Sequence, residues 1–391
     1  KLFPYNFTEA FLESETPFLQ EKFKKIIFMP LLKGRIRPNF SSLTVDDSYN
    51  ILYSKKTIMI IRILFSFDLY QSLFFHRKSL LKKNMFIACI KQQIHMQTIK
   101  CIIKNNPSNF TENTIVYSYW FNAPVYAFLK LREKYRMKYR VVCRAHRWDV
   151  YDENGDMPYR KYCIEHVDKI FPISQDACDF LTKKYGYKDK YILSRLGVQK
   201  RNVTTKASAP FNFQVLTISQ LIQRKRIDLV LNALTVFASR NQDISIQWTH
   251  FGTGNMEKDL RMKVSSIDIP NMRITFMGYV PNIEIIQFME KSTVDVFMNL
   301  STSEGVPVSI MEVQSYGIPV IATNVGGTGE IIDKDNGILL PSCPSLEDVV
   351  AALEKVYQSD FNRDIIKNHW NKLSNAQTNF RHFANLLSNT Q

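Results

Sequence analysis

No pair of cysteines in this sequence has the spacing of a metal site. The six cysteines are scattered over 391 residues, and none stands in a CxxC pair. This usage favours reduced thiols in a reducing compartment, and therefore a cytoplasmic protein. The first residues, KLFPYNFTEAF, also lack the basic and apolar segments of a secretory signal.

Long apolar runs are missing as well. The best candidate for a membrane span, Thr57–Phe75, is barely long enough and is interrupted by Arg62 and Asp68, so we reject a transmembrane helix there. A content of 45% hydrophobic and 22% charged residues is typical of a soluble globular protein and argues against disorder. A chain of 391 residues is long enough for two domains.

Acidic residues are scarce in one window of the chain. Residues 51–150 contain 18 lysines and arginines but only 4 aspartates and glutamates, a net charge of +14. This favours an anionic partner, which can be a membrane surface, a nucleic acid or a phosphorylated substrate. Residues 76–104 are basic and amphipathic, and predict a helix that either lies against lipid headgroups or covers the first sheet.

Short apolar runs alternate with longer amphipathic stretches through most of the chain. Continuous apolar runs favour strands buried on both faces, and their alternation with helices favours parallel sheets. The fold class is therefore α/β, with two doubly wound Rossmann-like domains. The predicted strands are Lys25–Met29, Thr114–Tyr117, Arg140–Arg144, Lys169–Ile173, Tyr191–Ser194, Gln214–Ser219, Ser245–Phe251, Arg273–Met277, Val294–Asn299 and Val320–Thr323. The predicted helices include Thr8–Lys22, Ala123–Lys134, Ser174–Tyr185, Arg226–Ser239, Asn282–Glu290 and Ser345–Gln358.

The two domains are expected to join in the polar stretch Gly197–Phe211. This divides the chain into a first domain, residues 1–204, and a second, residues 205–370, with a C-terminal helix in 371–391 that can pack back on the first. Ligands of such sheets bind outside the carboxyl ends of the strands, so we expect the site in a cleft that the two domains face.

Residues 299–332 predict a strand, a loop and a helix that together form an anion site. A helix begins near Pro307, which suits a first turn because it has no N–H to leave unpaired. Gly305 lets the backbone approach a ligand closely. The free N–H groups and the positive end of the helix dipole then favour a diphosphate. These N–H groups belong to Val306, Val308 and Ser309.

Two acidic residues flank the start of this helix, Glu304 before it and Glu312 within it. With a rise of roughly 1.5 Å per residue, Glu312 lies about 8 Å along the axis from the first turn. This is about the reach from a phosphate to a ribose whose hydroxyls the carboxylate accepts, and it leaves Glu304 on the side of the sugar. By spacing alone, an N-terminal acid that stabilises the helix dipole explains the pattern equally well.

The stretch EGVPVSIMEVQSYGIPVIATNVGGTGEII resembles the signature of the glycosyl transferases group 1 family, retaining enzymes with the GT-B fold. The signature has two glutamates separated by seven residues, then a small-residue turn with proline, a strand and a Gly-Gly turn. Similar segments occur in one order over almost the whole chain. They are VYSYWFNAP (116–124), RAHRWDVY (144–151), IFPISQDACDFL (170–181), LTISQLIQRKRIDLVLNAL (216–234), HFGTG (250–254) and FMGYVPNIEI (276–285).

The resemblance implies roles for three charged residues. Glu312 would bind the ribose, Glu304 would contact the transferred sugar near its anomeric carbon, and Lys225 would neutralise the leaving diphosphate. Five residues before this lysine the family has an arginine, where the sequence has Gln220. The implied donor-binding set is Gln220, Arg224, Gly252, Val280, Gly305, Val306, Pro307, Val308, Ser309, Glu312 and Ser174. Because glutamine carries no charge, Arg224 or Arg226 would have to compensate.

The first half resembles the acceptor domain of the family. His146 matches a histidine near the donor sugar and is implied in transfer, with Asp149 matching beside it. Ser174 follows a predicted strand and either binds the phosphate or caps a helix. The N-terminal loop with Pro4 and Asn6 resembles a loop that approaches the acceptor, and the strand that precedes this loop in the family is not part of the sequence.

The resemblance implies a retaining hexosyltransferase with a UDP- or GDP-sugar as donor substrate and no metal or other cofactor. The D-x-D triplet Asp333–Asp335 precedes Gly337 and predicts a turn. The implied acceptor is lipid-linked or a glycan in cell-surface polysaccharide or lipopolysaccharide biosynthesis. The basic window 51–150 would hold the protein peripherally on the anionic inner face of the cytoplasmic membrane.

Three other functions stay open. A nucleotide-sugar epimerase or another GT-B relative would bind the same diphosphate. A non-catalytic or weakly active binding partner in a polysaccharide assembly system is favoured by Gln220 and by the missing first strand. A nucleic-acid binder is suggested by charge alone, and because no recognition module is visible, no nucleic-acid partner is expected.

Overall fold

The structure, a computed structural model, describes residues 2–5, 9–36, 40–65, 69–70, 83–151 and 159–389. It divides into two compact units, one made of Lys1–Ser194 with Phe380–Gln391 and the other of Arg195–Asn379. Each unit contains a parallel sheet with helices, which is the α/β class that the sequence predicts.

The first unit is built on a three-stranded sheet of order β1-β2-β3 with all strands parallel. Its strands are β1 Ile115–Ser118, β2 Arg140–Ala145 and β3 Lys169–Pro172. Its helices up to β3 are α1 Ala10–Lys22, α2 Ser48–Ser54, α3 Lys56–Leu64, α4 Lys83–Asn105, α5 Ala123–Lys134, α6 Arg147–Val150 and α7 Arg160–His166. Helix α8, Gln175–Tyr185, follows β3. The three strands match three of the predicted ones within one or two residues.

Two predicted strands of the first unit are wrong. In Lys25–Met29 only Phe28 pairs, through one isolated bridge to Val45. In Tyr191–Ser194 the chain runs beside β3, and the N–H groups of Ile192 and Ser194 donate over 2.9 Å each to the carbonyls of Ile170 and Pro172, but the pairing amounts to a single bridge at Tyr191. A strand needs a continuous ladder of partners, which an apolar run alone does not supply.

A buried ion pair fixes helix α1 to strand β2. Arg144 and Glu15 are both fully buried, and the Arg144 Nη2 lies 2.8 Å from the Glu15 Oε2. The Tyr117 hydroxyl also donates to Glu15, over 2.8 Å, and the Ser194 carbonyl accepts from the Arg144 Nη1 over 2.9 Å. The opposite charges and these hydrogen bonds offset part of the cost of burying the pair.

The end of the chain returns to the first unit. The last described helix spans Ala376–Asn389. Phe383, Ala384 and Leu387 pack in one buried cluster with Leu19, Val142 and Phe171. From the sequence we expect a C-terminal helix in residues 371–391 that packs on the first unit. In the structure this helix begins at Ala376, and only residues from Phe380 onward belong to the first unit.

The second unit is built on a six-stranded parallel sheet of order β6-β5-β4-β7-β8-β9. Its strands are β4 Asn212–Ile218, β5 Ser245–Phe251, β6 Met272–Phe276, β7 Val296–Asn299, β8 Val320–Thr323 and β9 Gly337–Leu340. Its helices are α9 Ile227–Arg240, α10 Glu257–Ser265, α11 Asn282–Lys291, α12 Val308–Ser315, α13 Leu346–Gln358 and α14 Arg363–Leu373. The strand order reverses between β4 and β7, and a doubly wound sheet binds ligands at such a switch point.

Strand β9 is absent from the sequence prediction. Its first residue, Gly337, packs so closely on β8 that a Cβ atom would lie 2.2 Å from the Val320 carbonyl oxygen. The glycine therefore opens a strand directly after the turn that the sequence predicts at Asp333–Asp335.

The boundary between the units lies closer to the N-terminus than the predicted one. The sequence divided the chain after residue 204, but the second unit already begins at Arg195. The Val198 N–H donates to the Ser374 carbonyl over 2.9 Å, and the Ala376 N–H donates to the Val198 carbonyl over 3.0 Å. These bonds tie the polar stretch to the second unit. No helix in the described part of the chain has the length and apolar character needed to cross a bilayer.

Candidate active site

Two charged side chains meet at the switch point of the second unit. Lys225 lies at the end of a short 3-10 helix, Gln223–Lys225, in the loop after β4, and Glu304 lies in the loop after β7. The Lys225 ammonium donates a hydrogen bond to the Glu304 carboxylate. The two side chains are 15% and 11% exposed, so this is a partly desolvated ion pair at the carboxyl edge of the sheet.

The two arginines beside Lys225, Arg224 and Arg226, donate hydrogen bonds to carbonyl groups of nearby loops. The Arg224 Nη1 donates to the Ser303 carbonyl over 3.0 Å, and the Thr302 N–H donates to the Arg224 carbonyl over 2.8 Å. The Arg226 Nη1 donates to the Ser342 carbonyl over 2.9 Å. Gln220, which stands at the family's arginine position, is exposed. Lys225 is therefore the cation in contact with Glu304.

The Gly-Gly turn, Gly326 and Gly327, packs directly against the loop that carries Glu304. Gly326 has a φ of +53°, and a Cβ atom there would lie 2.0 Å from the Glu304 carbonyl oxygen. The Gly327 N–H donates to the Gly305 carbonyl over 2.6 Å. Any side chain at 326 would push the loop away, so the spacing between the signature and the Gly-Gly turn has a direct structural reason.

Helix α12 begins one residue later than predicted. Pro307 has an extended backbone and stands at the N-cap, and the first helical residues are Val308 and Ser309. N–H groups in a first turn have no acceptor within their helix, and the dipole of the helix adds positive potential there. Gly305 and Val306 lie between this turn and Glu304, and Val306 is buried.

Glu312 lies in the same helix, on the side that faces α11. The Asn282 Nδ2 donates to its Oε1 over 3.0 Å. Burial raises the pKa of the Glu312 carboxyl, and Asn282 and the positive charge of Arg201 act in the opposite direction. Both of these neighbours favour the ionised carboxylate, which is the form that accepts hydrogen bonds from hydroxyls.

Gly252 and Val280 lie in the loops that follow two neighbouring strands, β5 and β6. Gly252 follows β5 with a φ of +134°, and a Cβ atom there would lie 1.9 Å from the Ser219 carbonyl oxygen, next to Gln220. Val280 comes just before Pro281, the N-cap of α11. All donor-binding residues predicted in the second half thus lie on loops and one helix start at the carboxyl edge of one sheet.

His146 lies in the first unit, at the N-cap of α6. Its Nε2 lies 3.1 Å from the Tyr119 carbonyl oxygen, and its ring centroid lies 4.6 Å from that of Trp120. Burial, together with the charge of Arg144, lowers the pKa of His146 to about 3. The ring is therefore neutral, and since a carbonyl only accepts, Nε2 carries the proton and Nδ1 is the basic nitrogen.

Two of the residues that the resemblance implies on the acceptor side, Asp149 and Pro4, are described near this histidine or its neighbours. The Asp149 Oδ2 accepts from the His146 N–H over 3.3 Å. Glu9, which the sequence did not single out, accepts from the Trp120 Nε1 over 3.1 Å and from the Phe3 N–H over 3.0 Å. This links the loop of the buried Pro4 to the aromatic neighbours of His146, whereas Asn6 lies outside the described residues.

Ser174 and the D-x-D triplet have local structural partners. The Ser174 hydroxyl accepts from the Ala177 N–H over 3.1 Å and caps α8, and the side chain is almost fully buried. Of the two roles left open by the sequence, the cap is the one observed. In the triplet, the Asp333 Oδ1 accepts from the Asp335 N–H over 2.9 Å, which closes a turn.

The comparisons with known proteins agree with this geometry. Residues 203–372 match the family described as Glycosyl transferases group 1. This stretch belongs to that family. The match covers the sheet edge that holds Lys225, Glu304 and Glu312, and it confirms the resemblance drawn from the sequence.

Two curated relatives share parts of the chain. The putative colanic acid biosynthesis glycosyltransferase WcaL of Escherichia coli (strain K12) is 24% identical over 224 residues, 54% of this chain and 54% of the relative. The O-antigen biosynthesis glycosyltransferase WbnH of Escherichia coli is 25% identical over 246 residues, 60% of this chain and 65% of the relative. The chain spans about half the length of the curated relatives it matches.

Solved structures show the fold. The lipopolysaccharide outer core galactosyltransferase WaaB, in its apo form, has a TM-score of 0.73 and 15% identity, and the likeness covers 99% of this chain and 97% of that one. Anabaena Alr3699/HepE in complex with UDP has a TM-score of 0.59 and 16% identity, covering 75% of this chain and 82% of that one. The GT-B fold of group 1 glycosyltransferases predicted from the sequence is confirmed.

Proposed function

We propose that this protein is a retaining glycosyltransferase that moves a hexose from a UDP- or GDP-sugar to a lipid-linked or glycan acceptor in cell-surface polysaccharide biosynthesis. The observation that carries the proposal is the pairing of Lys225 with Glu304 beside the start of α12. A cation, an acid and free helix N–H groups meet there, and this combination favours the departure of a diphosphate from a sugar.

Each group has a role in this proposal. The Lys225 ammonium takes up negative charge that develops on the leaving diphosphate, and the first-turn N–H groups of Val308 and Ser309 bind its oxygens. Glu304 faces the sugar and stabilises positive charge near the anomeric carbon. Glu312 accepts the hydroxyls of the ribose. Neutral His146 belongs to the acceptor side, where its Nδ1 can accept a hydrogen bond.

We propose that transfer proceeds with retention and without a metal. In this scheme the acceptor attacks from the face that the leaving group departs from, and Lys225 supplies the positive charge that a metal would otherwise bring. Gly305 lets the donor lie directly against the backbone. The choice among UDP- and GDP-sugars depends on the loops around Gly252 and Val280.

We also propose that the protein works in the cytoplasm, bound peripherally to the inner face of the cytoplasmic membrane. Support comes from helix α3, which exposes Ile58 and Ile61 and is followed by Phe65, 87% exposed. Lys55 precedes this apolar face, and the window 51–150 carries an excess of basic residues. Apolar side chains next to cations suit the headgroup region of an anionic bilayer.

One observation favours a second candidate, a weakly active binding partner. Gln220 is exposed and neutral, and the guanidinium groups of Arg224 and Arg226 each donate to a loop carbonyl. A diphosphate in this site would meet one cation, Lys225, that is already paired with an acid. Such a protein would bind the donor without transferring its sugar at a useful rate.

Titration calorimetry of the purified chain with UDP, GDP, ADP and their common sugars tests the donor site. We expect one diphosphate to bind in the micromolar range, and Glu312→Ala to weaken it by about 1.5–3 kcal/mol, the value of a hydrogen bond to a charged group. Glu284→Ala, which removes an exposed acid from the neighbouring helix α11, is the control and should bind as the wild type does. If none of the diphosphates binds, the donor site is wrong. Binding without transfer of sugar to any lipid-linked or glycan acceptor would favour the second candidate.

A further inference from the structure

Asn282 joins two parts of the donor site that the sequence treats separately. It is the first residue of α11 and follows Val280, one of the implied donor-binding residues, and the N-cap Pro281. Its amide donates to the Glu312 Oε1 over 3.0 Å, across from α11 to α12. The side chain is exposed at the sheet edge and makes no contact needed to build the core.

The hydrogen bond has a defined effect on the carboxylate. Donation by Asn282 occupies Oε1 and fixes the plane of the Glu312 carboxyl group, so that Oε2 has one preferred direction. When a hydroxyl binds Oε2, the Glu312 side chain then loses less rotational freedom, so binding has a smaller entropic cost. Donation to the charged form also favours ionisation of a group whose pKa burial raises.

The charged and titratable groups near Glu312 are Arg201, Tyr316 and Glu290. Arg201 is near both Glu312 and Tyr316, and its guanidinium lies 6.0 Å from the centre of the Tyr316 ring. The Tyr316 hydroxyl donates to the Glu290 Oε1 over 3.2 Å. Burial raises the pKa of Tyr316 to about 12, so this side chain stays neutral. Glu312, whose pKa burial raises, is then the group that takes up a proton as pH falls.

We propose that Asn282 is a positioning residue that holds the Glu312 carboxylate for the ribose diol of the donor, and that this contact makes the site prefer ribonucleotides to 2′-deoxyribonucleotides. The inference rests on the proposed donor site, and it assigns a positioning residue that the family signature does not contain.

Calorimetric titration of the purified chain with UDP, 2′-deoxy-UDP, GDP and 2′-deoxy-GDP between pH 5.5 and pH 8 tests it. We expect Asn282→Ala to weaken the ribonucleotide by about two- to tenfold at pH 8, because a Glu312 side chain that is no longer held must be immobilised on binding, and to reduce the preference over the deoxy form. The variant should lose further affinity on acidification at a higher pH than the wild type, because its Glu312 protonates more readily. Asn282→Asp should lose affinity at a still higher pH, since two carboxylates this close share a proton.

Two comparisons separate positioning from a general loss of structure. Ile283→Ala changes the next, exposed residue of α11 and should leave affinity and pH profile unchanged. In a Glu312→Ala background, Asn282→Ala should have no further effect, because Asn282 acts through the acid.

The outcomes are distinguishable from those for the donor site itself. If the wild type binds no nucleotide, both the donor site and the role of Asn282 are overturned. If the wild type binds, but Asn282→Ala lowers affinity equally at every pH or leaves the deoxy preference intact, the donor site stands and the role of Asn282 is overturned.

Discussion

The Lys225 ammonium and the Glu304 carboxylate form a partly buried ion pair where strands β4 and β7 end. The two residues are 79 positions apart in the chain, and the reversal of strand order brings their loops together. A diphosphate that enters this site must share the ammonium with the carboxylate. The strength of donor binding therefore depends on how much positive charge the surrounding loops supply.

Gln220→Arg should strengthen binding of the preferred nucleoside diphosphate. Gln220 is exposed at the edge where Lys225 lies, and a guanidinium there would add the charge that the family has at this position. We expect about tenfold tighter binding by calorimetry, about 1.4 kcal/mol. Gln223→Arg adds the same charge at an exposed position three residues further and serves as the control. Equal gains from both variants would mean that only general attraction has changed.

Acid should destabilise the protein through His146. The unfolded imidazole takes up a proton below about pH 6.5, whereas burial keeps the folded one neutral down to its pKa of about 3. The unfolded state then binds more protons, so the free energy of unfolding falls as pH drops, by about 1.4 kcal/mol per pH unit. This contribution is complete above about pH 6.5 and is lost toward pH 3.

Melting temperatures between pH 7 and pH 4 check this dependence. His146→Gln should flatten the pH dependence, even if it lowers the melting temperature itself. His382→Gln changes an exposed histidine and should leave the slope as it is. An unchanged slope in His146→Gln would show that the buried ring is not the source of the acid sensitivity.

The pairing of Arg144 with Glu15 should be important for the stability of the first unit. Glu15→Ala leaves a fully buried guanidinium without its acid and should cost about 3–5 kcal/mol. The double variant Glu15→Leu with Arg144→Met removes both charges and should recover much of that loss. Chemical unfolding compares them, with Glu21→Ala, an exposed acid of the same helix, as control. A double variant no more stable than Glu15→Ala would contradict the electrostatic explanation.

The apolar face of α3 should bind anionic lipid. Ile61→Asp together with Phe65→Asp places charges on this face, and we expect about tenfold less protein to sediment with vesicles containing phosphatidylglycerol. Ile365→Asp changes an isoleucine of similar exposure on α14 and should sediment as the wild type does. Sedimentation with vesicles of phosphatidylcholine alone shows how much of the binding depends on the negative charge of the lipid. A wild type that ignores both kinds of vesicle would remove the support for peripheral membrane binding.

Much of the fold follows from apolar runs, and the exceptions have physical causes. Ser245–Phe251 and Val320–Thr323 were predicted with the bounds that the structure has. Val320–Thr323 is buried at every position, as expected of a strand inside a parallel sheet, whereas Ser245–Phe251 alternates exposed and buried residues at its start. Lys25–Met29 has a similar run but finds only one bridging partner. Gly337 opens a strand because β8 approaches it closely, a constraint that depends on the neighbouring chain.

The site was predictable only through the family signature. Spacing alone places Glu304 and Glu312 on one helix start, but it does not bring Lys225 to Glu304, since that contact depends on strand order. Arg224 was a candidate for compensating charge, and the structure has its guanidinium donating to the Ser303 carbonyl. The bond from Asn282 to Glu312 also joins two helices, so no local pattern indicates it.

The most direct test of the account is the release of nucleoside diphosphate from UDP- and GDP-sugars in the presence of a panel of lipid-linked and glycan acceptors. The wild type is compared with Lys225→Met and Glu304→Gln, and Lys258→Met, which changes an exposed lysine of α10, is the control. We predict that the wild type and the control consume one nucleotide sugar, and that each of the other two variants is slower by about a hundredfold, the usual cost of removing one transition-state contact. A wild type that consumes none of the sugars, or variants as fast as the wild type, would contradict the claim that Lys225 and Glu304 form a sugar-transfer site.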